Sequence, residues 1–209
     1  MTPLRRLALA LLLPLIAAGC AETVMDPDVE VARRAYSHDG PPALTLYTMT
    51  NTRSGSGDHS ALLINADQRV LFDPFGTFHL PQVPEQRDVL YGFTPNVHKV
   101  YIDFHARETY DVREQRVEVS PAVARQALRL AQSNGAVGPA RCTISIANIL
   151  RQLPGFEDAP ATFFPNRLAA YFAGRPDVQE RRIGDDDADD NHGVLIRAAQ
   201  NEIREEIAY

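Results

Sequence analysis

The order of local patterns along the chain predicts an α+β fold. Residues 43–119 read as a succession of short strands, and helical periodicity begins at Ser120. Strands and helices are thus segregated rather than alternating, which argues against a parallel α/β sheet. The expected architecture is an antiparallel sheet packed on helices, strands first. At 209 residues the chain is long enough to bury one substantial core.

The strand half is read as follows. "ALTLYTMTN" (43–51) alternates and is rich in Thr, Leu and Tyr, so it predicts a strand. "TRSGSGD" (52–58) is a loop. "HSALLINA" (59–66) and "RVLFDPFG" (69–76) flank Asp67–Gln68 and predict a hairpin. Residues 77–96 carry prolines at 81, 84 and 95 and read as irregular. "VHKVYIDF" (97–104) and "ETYDVREQRVEV" (108–119) predict two further strands, the second broken near Glu114.

The helical half starts with "SPAVARQALRLAQSN" (120–134), where Ser120 is the expected N-cap and Pro121 the first helical residue. Val123, Ala127, Leu130 and Ala131 form its apolar stripe. "CTISIANILRQL" (142–153) predicts a second helix, with Ile146, Ile149, Leu150 and Leu153 at helical spacing. "PNRLAAYFAG" (165–174) predicts a short helix capped by Asn166, and "DVQERRI" (177–183) a strand. "GDDDADDN" (184–191) is a solvated acidic loop before a C-terminal helical segment.

The first twenty residues, "MTPLRRLALALLLPLIAAGC", stand apart from this pattern. A basic start (Arg5, Arg6), an apolar run and small residues before a cysteine are signal-peptide anatomy. "AAGC" resembles the bacterial lipobox, with Ala17 where leucine is usual. That resemblance implies cleavage after residue 19 and lipidation of Cys20. It also implies anchoring in the outer membrane facing the periplasm, because Ala21 and not Asp follows the cysteine. Residues 20–42 then serve as anchor and tether, 43–183 as the folded domain, and 184–209 as acidic loop and C-terminal segment. The partner is a lipid bilayer. The net charge of −6, made more acidic by loss of Arg5 and Arg6, argues against nucleic acid.

Lipidation of Cys20 leaves Cys142 as the sole free thiol in an oxidising compartment. Two roles fit such a thiol: burial as a small apolar side chain, or chemistry. At a helix start the unsatisfied N–H groups favour the thiolate and can hold an oxyanion. The nucleophile needs a base. Among six histidines, His38 lies in a turn, His79 in the irregular segment and His192 beyond the acidic loop, while His98 and His105 flank one predicted strand. His59 differs, because it opens an apolar strand directly after a glycine-rich loop, "SGSGDHSALLI". Asp73 on the next strand is the candidate to orient its ring; as part of "DPFG" it could equally cap a turn. A turn at Asp67–Gln68 sets His59 opposite about residue 76, and a one-residue slip changes the face of Asp73.

A histidine opening a strand ("GDHSALLI") followed later by a cysteine opening a helix ("RCTISIANIL") resembles the papain-like NlpC superfamily. The match is to its circularly permuted branch, the YiiX-like and lecithin:retinol acyltransferase-like proteins. The resemblance spans residues 43–155. It implies Cys142 as nucleophile, His59 as base, Asp73 as orienting residue, and a thiol hydrolase or acyltransferase of amide or ester bonds, with peptidoglycan peptides as the most natural substrate and lipid or protein acyl groups next. No cofactor is expected, and no metal, because "DFHARETYD" lacks metal-site spacing and no second cluster supports it. Two rivals stand beside it. One is a non-catalytic structural or binding lipoprotein with a buried Cys142. The other is a metal-dependent hydrolase using His98, Asp103 or His105.

Overall fold

A computed structural model describes residues 24–207, with side chains described as far as Asn201. The expected signal peptide and Cys20 lie outside the described residues. Seven strands form one antiparallel sheet: β1 (Ala43–Asn51), β2 (Gly57–Asn65), β3 (Arg69–Phe72), β4 (Glu85–Gln86), β5 (Val89–Leu90), β6 (Tyr110–Glu118) and β7 (Gln179–Ile183), ordered β4-β5-β3-β2-β1-β6-β7. The helices are α1 (Asp28–Arg34), α2 (Pro95–His105), α3 (Pro121–Ser133), α4 (Cys142–Leu150), α5 (Pro165–Ala173) and α6 (Asn191–Ile207). The α+β class with an antiparallel sheet on helices is therefore the observed one. No helix among the described residues is long and apolar enough to cross a membrane.

The sheet is covered on both faces, which explains why "HSALLIN" reads as a nearly continuous apolar run. Leu44, Leu46, Leu62, Ile64 and Phe72 pack on one face with Ala127 of α3, Ile146 and Leu150 of α4, and Phe172 of α5. Tyr47, Ala61, Leu63 and Leu71 pack on the other face with Tyr101 and Phe104 of α2 and Val194 of α6. Alternation along each strand sends even-numbered residues of β1 to β3 to the first core and odd-numbered residues to the second. The outer strand β7 is exposed and charged. Its Arg181 and Arg182 pair with Glu114 and Asp111 of β6, and Glu180 pairs with Arg113. Charge of this kind suits an edge strand.

Several local expectations change. Residues 97–104, expected as a strand, lie inside α2. Thr94 caps this helix by accepting from the Val97 N–H at 3.2 Å, and Pro95 takes the first turn. Val97, Tyr101 and Phe104 then fall on one buried helical face, so the period is 3.6 and not 2. β6 runs unbroken through Glu114, paired with β1 along nine residues. Asn166 does not cap α5; Phe164 precedes that helix, and Asn166 Nδ2 donates to Gly55 O at 2.7 Å. The expected tether contains α1, and Asp26 N–H donates to Glu85 O at 2.9 Å, joining that segment to β4.

Candidate active site

β3 is less than half the length of β2. It pairs only with Leu62–Asn65, so Gly57–Ala61 of β2 have no strand on that side. β3 stops because Asp73–Pro74 begins a turn: Pro74 has no N–H for a ladder, Phe75 takes φ 60°, and Gly76 N–H returns to Asp73 O at 2.9 Å. Leu62 faces Phe72 and Ile64 faces Val70. This register differs by one from the sequence estimate. It sets His59 opposite position 75 and puts Asp73 on the same face as His59. The consequence is a direct contact, His59 Nε2 to Asp73 Oδ1 at 2.6 Å. The residue that begins the turn is therefore also the hydrogen-bond partner of His59.

The Asp73 carboxylate sits against bare backbone. A Cβ placed on Gly76 would lie 2.1 Å from Asp73 Oδ2, so only glycine fits at that position. Asp73 Oδ2 is enclosed and without a hydrogen-bond partner, and so is the Tyr101 hydroxyl. Burial and the Asp73 charge push the Tyr101 pKa well up. The His105 ring stacks on His59 with centroids 6.4 Å apart, and its Nδ1 donates to Tyr101 O at 2.9 Å. Burial lowers the pKa of His105 to about 4, so it is neutral and His59 is the ring of the pair that takes a proton.

Cys142 is the first residue of α4. No side chain caps that end; Arg141 precedes it with φ −115° and ψ 4°. The first N–H groups of the helix are therefore left without side-chain acceptors. The helix packs against β2, where Thr143 Oγ1 lies 3.1 Å from Ser60 Oγ. That buried pair brings the adjacent Cys142 to the uncovered edge of β2. Burial raises the Cys142 pKa. Interaction with the nearby His59 ring and its charge, the Ser60 N–H and the Thr143 hydroxyl outweigh burial and bring it down to about 7. For His59, burial lowers the pKa, but the Asp73 charge, its hydrogen bond and the interaction with Cys142 raise it to about 10. The pair favours thiolate and imidazolium. With Nε2 committed to Asp73, Nδ1 is the nitrogen left for Cys142.

Asp88 connects the loops that carry these groups. Its C=O accepts from the Asp73 N–H at 2.8 Å, and its Oδ2 accepts from the Val137 N–H at 2.7 Å, in the loop before α4. A cleft of about 500 Å³ opens beside His59, walled by Met49, Phe75, Phe104, His105 and Tyr110. Cys142 is 8 % exposed and lies outside that lining. Cys142, His59 and Asp73 are thus brought together. His38 and His98 lie elsewhere, His98 Nε2 meeting the Tyr47 hydroxyl at 2.8 Å. Asp103 pairs with Arg107, and together with Asp185 and Asp187 it forms an exposed carboxylate group that contains no histidine. His98, Asp103 and His105 therefore do not converge as a ligand set.

Sequence reasoning missed Ser60, Thr143, Tyr101 and Asp88. The "HS" and "CT" dipeptides carry the first two, but their significance depends on β2 facing α4. No protein-family model matches the chain, and neither does any curated protein or solved structure.

Proposed function

We propose that the protein is a thiol hydrolase or acyltransferase of the cell envelope, papain-like in the permuted order, anchored through a lipidated Cys20. The observation that carries this reading is the thiol of Cys142 at an uncapped helix start near a His59 that Asp73 holds at 2.6 Å; this arrangement favours the thiolate. In this reading the Cys142 thiolate attacks an amide or ester carbonyl carbon and forms the C–S bond. N–H groups at the start of α4 stabilise the oxyanion. The tetrahedral species collapses as the C–N or C–O bond breaks, and His59 passes its proton to the leaving group. Water or an acceptor hydroxyl or amine then attacks the thioester, giving up its proton to His59 and releasing the Cys142 thiolate. Peptidoglycan peptides are the first substrate class to test, and acyl esters the second.

The small exposure of Cys142 favours a second reading, a non-catalytic binding or structural lipoprotein. Assay of Cys142→Ala and Cys142→Ser on muropeptides and model esters separates the two. The catalytic reading expects both variants to lose at least about 100-fold in kcat/KM, a magnitude ordinary for a covalent nucleophile. Wild-type rates in both variants would remove Cys142 from the chemistry.

A further inference from the structure

Far from His59 on the same face of the sheet, at the other end of β2 and β3, lies a second polar site. Arg69 opens β3 and is only 6 % exposed. Its guanidinium has no ion pair among the described residues, and its Nε is enclosed without a hydrogen-bond partner. The Phe93 ring, 5.8 Å from the guanidinium carbon, gives it cation–π contact but no counter-charge. An arginine buried without a counter-ion is costly. The side chain lines a cavity of about 100 Å³ together with His38, Tyr47, His98, Glu114 and Arg116.

The charges around this cavity do not balance internally. Glu114 is the one carboxylate in the wall; Arg181 holds it through two contacts of 2.9 Å, His98 Nε2 lies 3.5 Å from it, and it reaches Arg69 only through space, without an ion pair. Arg116 is paired with Glu118 at 2.8 Å. Burial and the Arg69 charge hold the pKa of His38 below its ordinary value. One uncompensated positive charge remains, on the Arg69 fork. We propose that this cavity binds a small carboxylate, held bidentately by the Nη atoms of Arg69. A guanidinium fork matches a carboxylate geometrically. The space suffices for an acetate-sized group, since a single water needs only about 10–15 Å³ of it.

Calorimetric titration of the full chain with sodium acetate, against sodium chloride at matched ionic strength, tests the site. Saturable acetate binding is expected, weakened at least about tenfold in Arg69→Gln, as loss of a charge-assisted pair implies. Arg69→Lys keeps the charge without the fork and should fall between the two. An unchanged Cys142 alkylation rate in either variant shows that the fold is intact. Amide NMR shifts confined to residues around Arg69, His38 and His98 give a readout that needs no variant. N-acetylglycylglycine in place of acetate distinguishes a peptide carboxylate from a free one, and binding of either supports the site. The proposal is overturned if wild-type protein binds neither, if chloride produces the same signal, or if Arg69→Gln binds as wild type does; cavity water alone would then solvate Arg69.

Discussion

At the scale of single residues, the proposed chemistry rests on a coupled proton between Cys142 and His59. In that reading the thiol is protonated below about pH 7 and unable to attack, and above about pH 10 His59 lacks the proton the mechanism asks it to deliver. Alkylation of Cys142 by iodoacetamide should therefore show a midpoint near 7, against roughly 8.5 for a free cysteine. The Asp73 charge raises the His59 pKa, and the His59 charge lowers that of Cys142. Asp73→Asn should accordingly move the alkylation midpoint upward, toward the free-cysteine value. A midpoint that stays put in this variant would mean that Asp73 does not act through His59.

At the scale of elements, the site depends on β3 ending early. The four-residue strand leaves the edge of β2 open, and the turn after it returns Asp73 to His59. Gly76 is the tight point of that turn. Gly76→Ala puts a methyl group where the Asp73 carboxylate lies, so the carboxylate must move. The variant should lose activity and raise the alkylation midpoint much as Asp73→Asn does, which pH-dependent labelling would read directly. α2 teaches a related lesson. "VHKVYIDF" has strand-like composition, yet the Thr94–Pro95 start and the Val97, Tyr101 and Phe104 spacing belong to a helix. The cap and the period were both legible, and β-branched composition hid them.

At the scale of the molecule, two cores clamp one sheet, and the catalytic candidates sit where that clamp has a gap. Phe172 of α5 is fully buried in the core shared by the sheet, α3 and α4. Phe172→Ala should cost about 3–5 kcal/mol, a large part of the roughly 5–15 kcal/mol that keeps a domain folded. Chemical denaturation should show the lower midpoint. Full retention of the wild-type midpoint would mean that α5 packs independently of that core.

Much of this protein is determined by local sequence. The periodicities of β1 and β2, the Ser120–Pro121 start of α3 and the helix opening at Cys142 are all short-range features, readable because side-chain spacing and capping act within a few residues. Cys142 and His59 could be chosen for the same reason, since a helix start and a glycine-rich strand entry are local. The pairing of β2 with β3 was not readable to one residue, and that single step decides whether Asp73 shares a face with His59. Ser60 and Thr143 acquire meaning only when α4 lies on β2. Asp88 does so only when two distant loops meet at its carbonyl and carboxylate. Burial, too, belongs to the tertiary structure. Desolvation and charge act through space rather than along the chain, so the low pKa of Cys142 and the unsatisfied Nε of Arg69 exist only once the two cores have closed on the sheet.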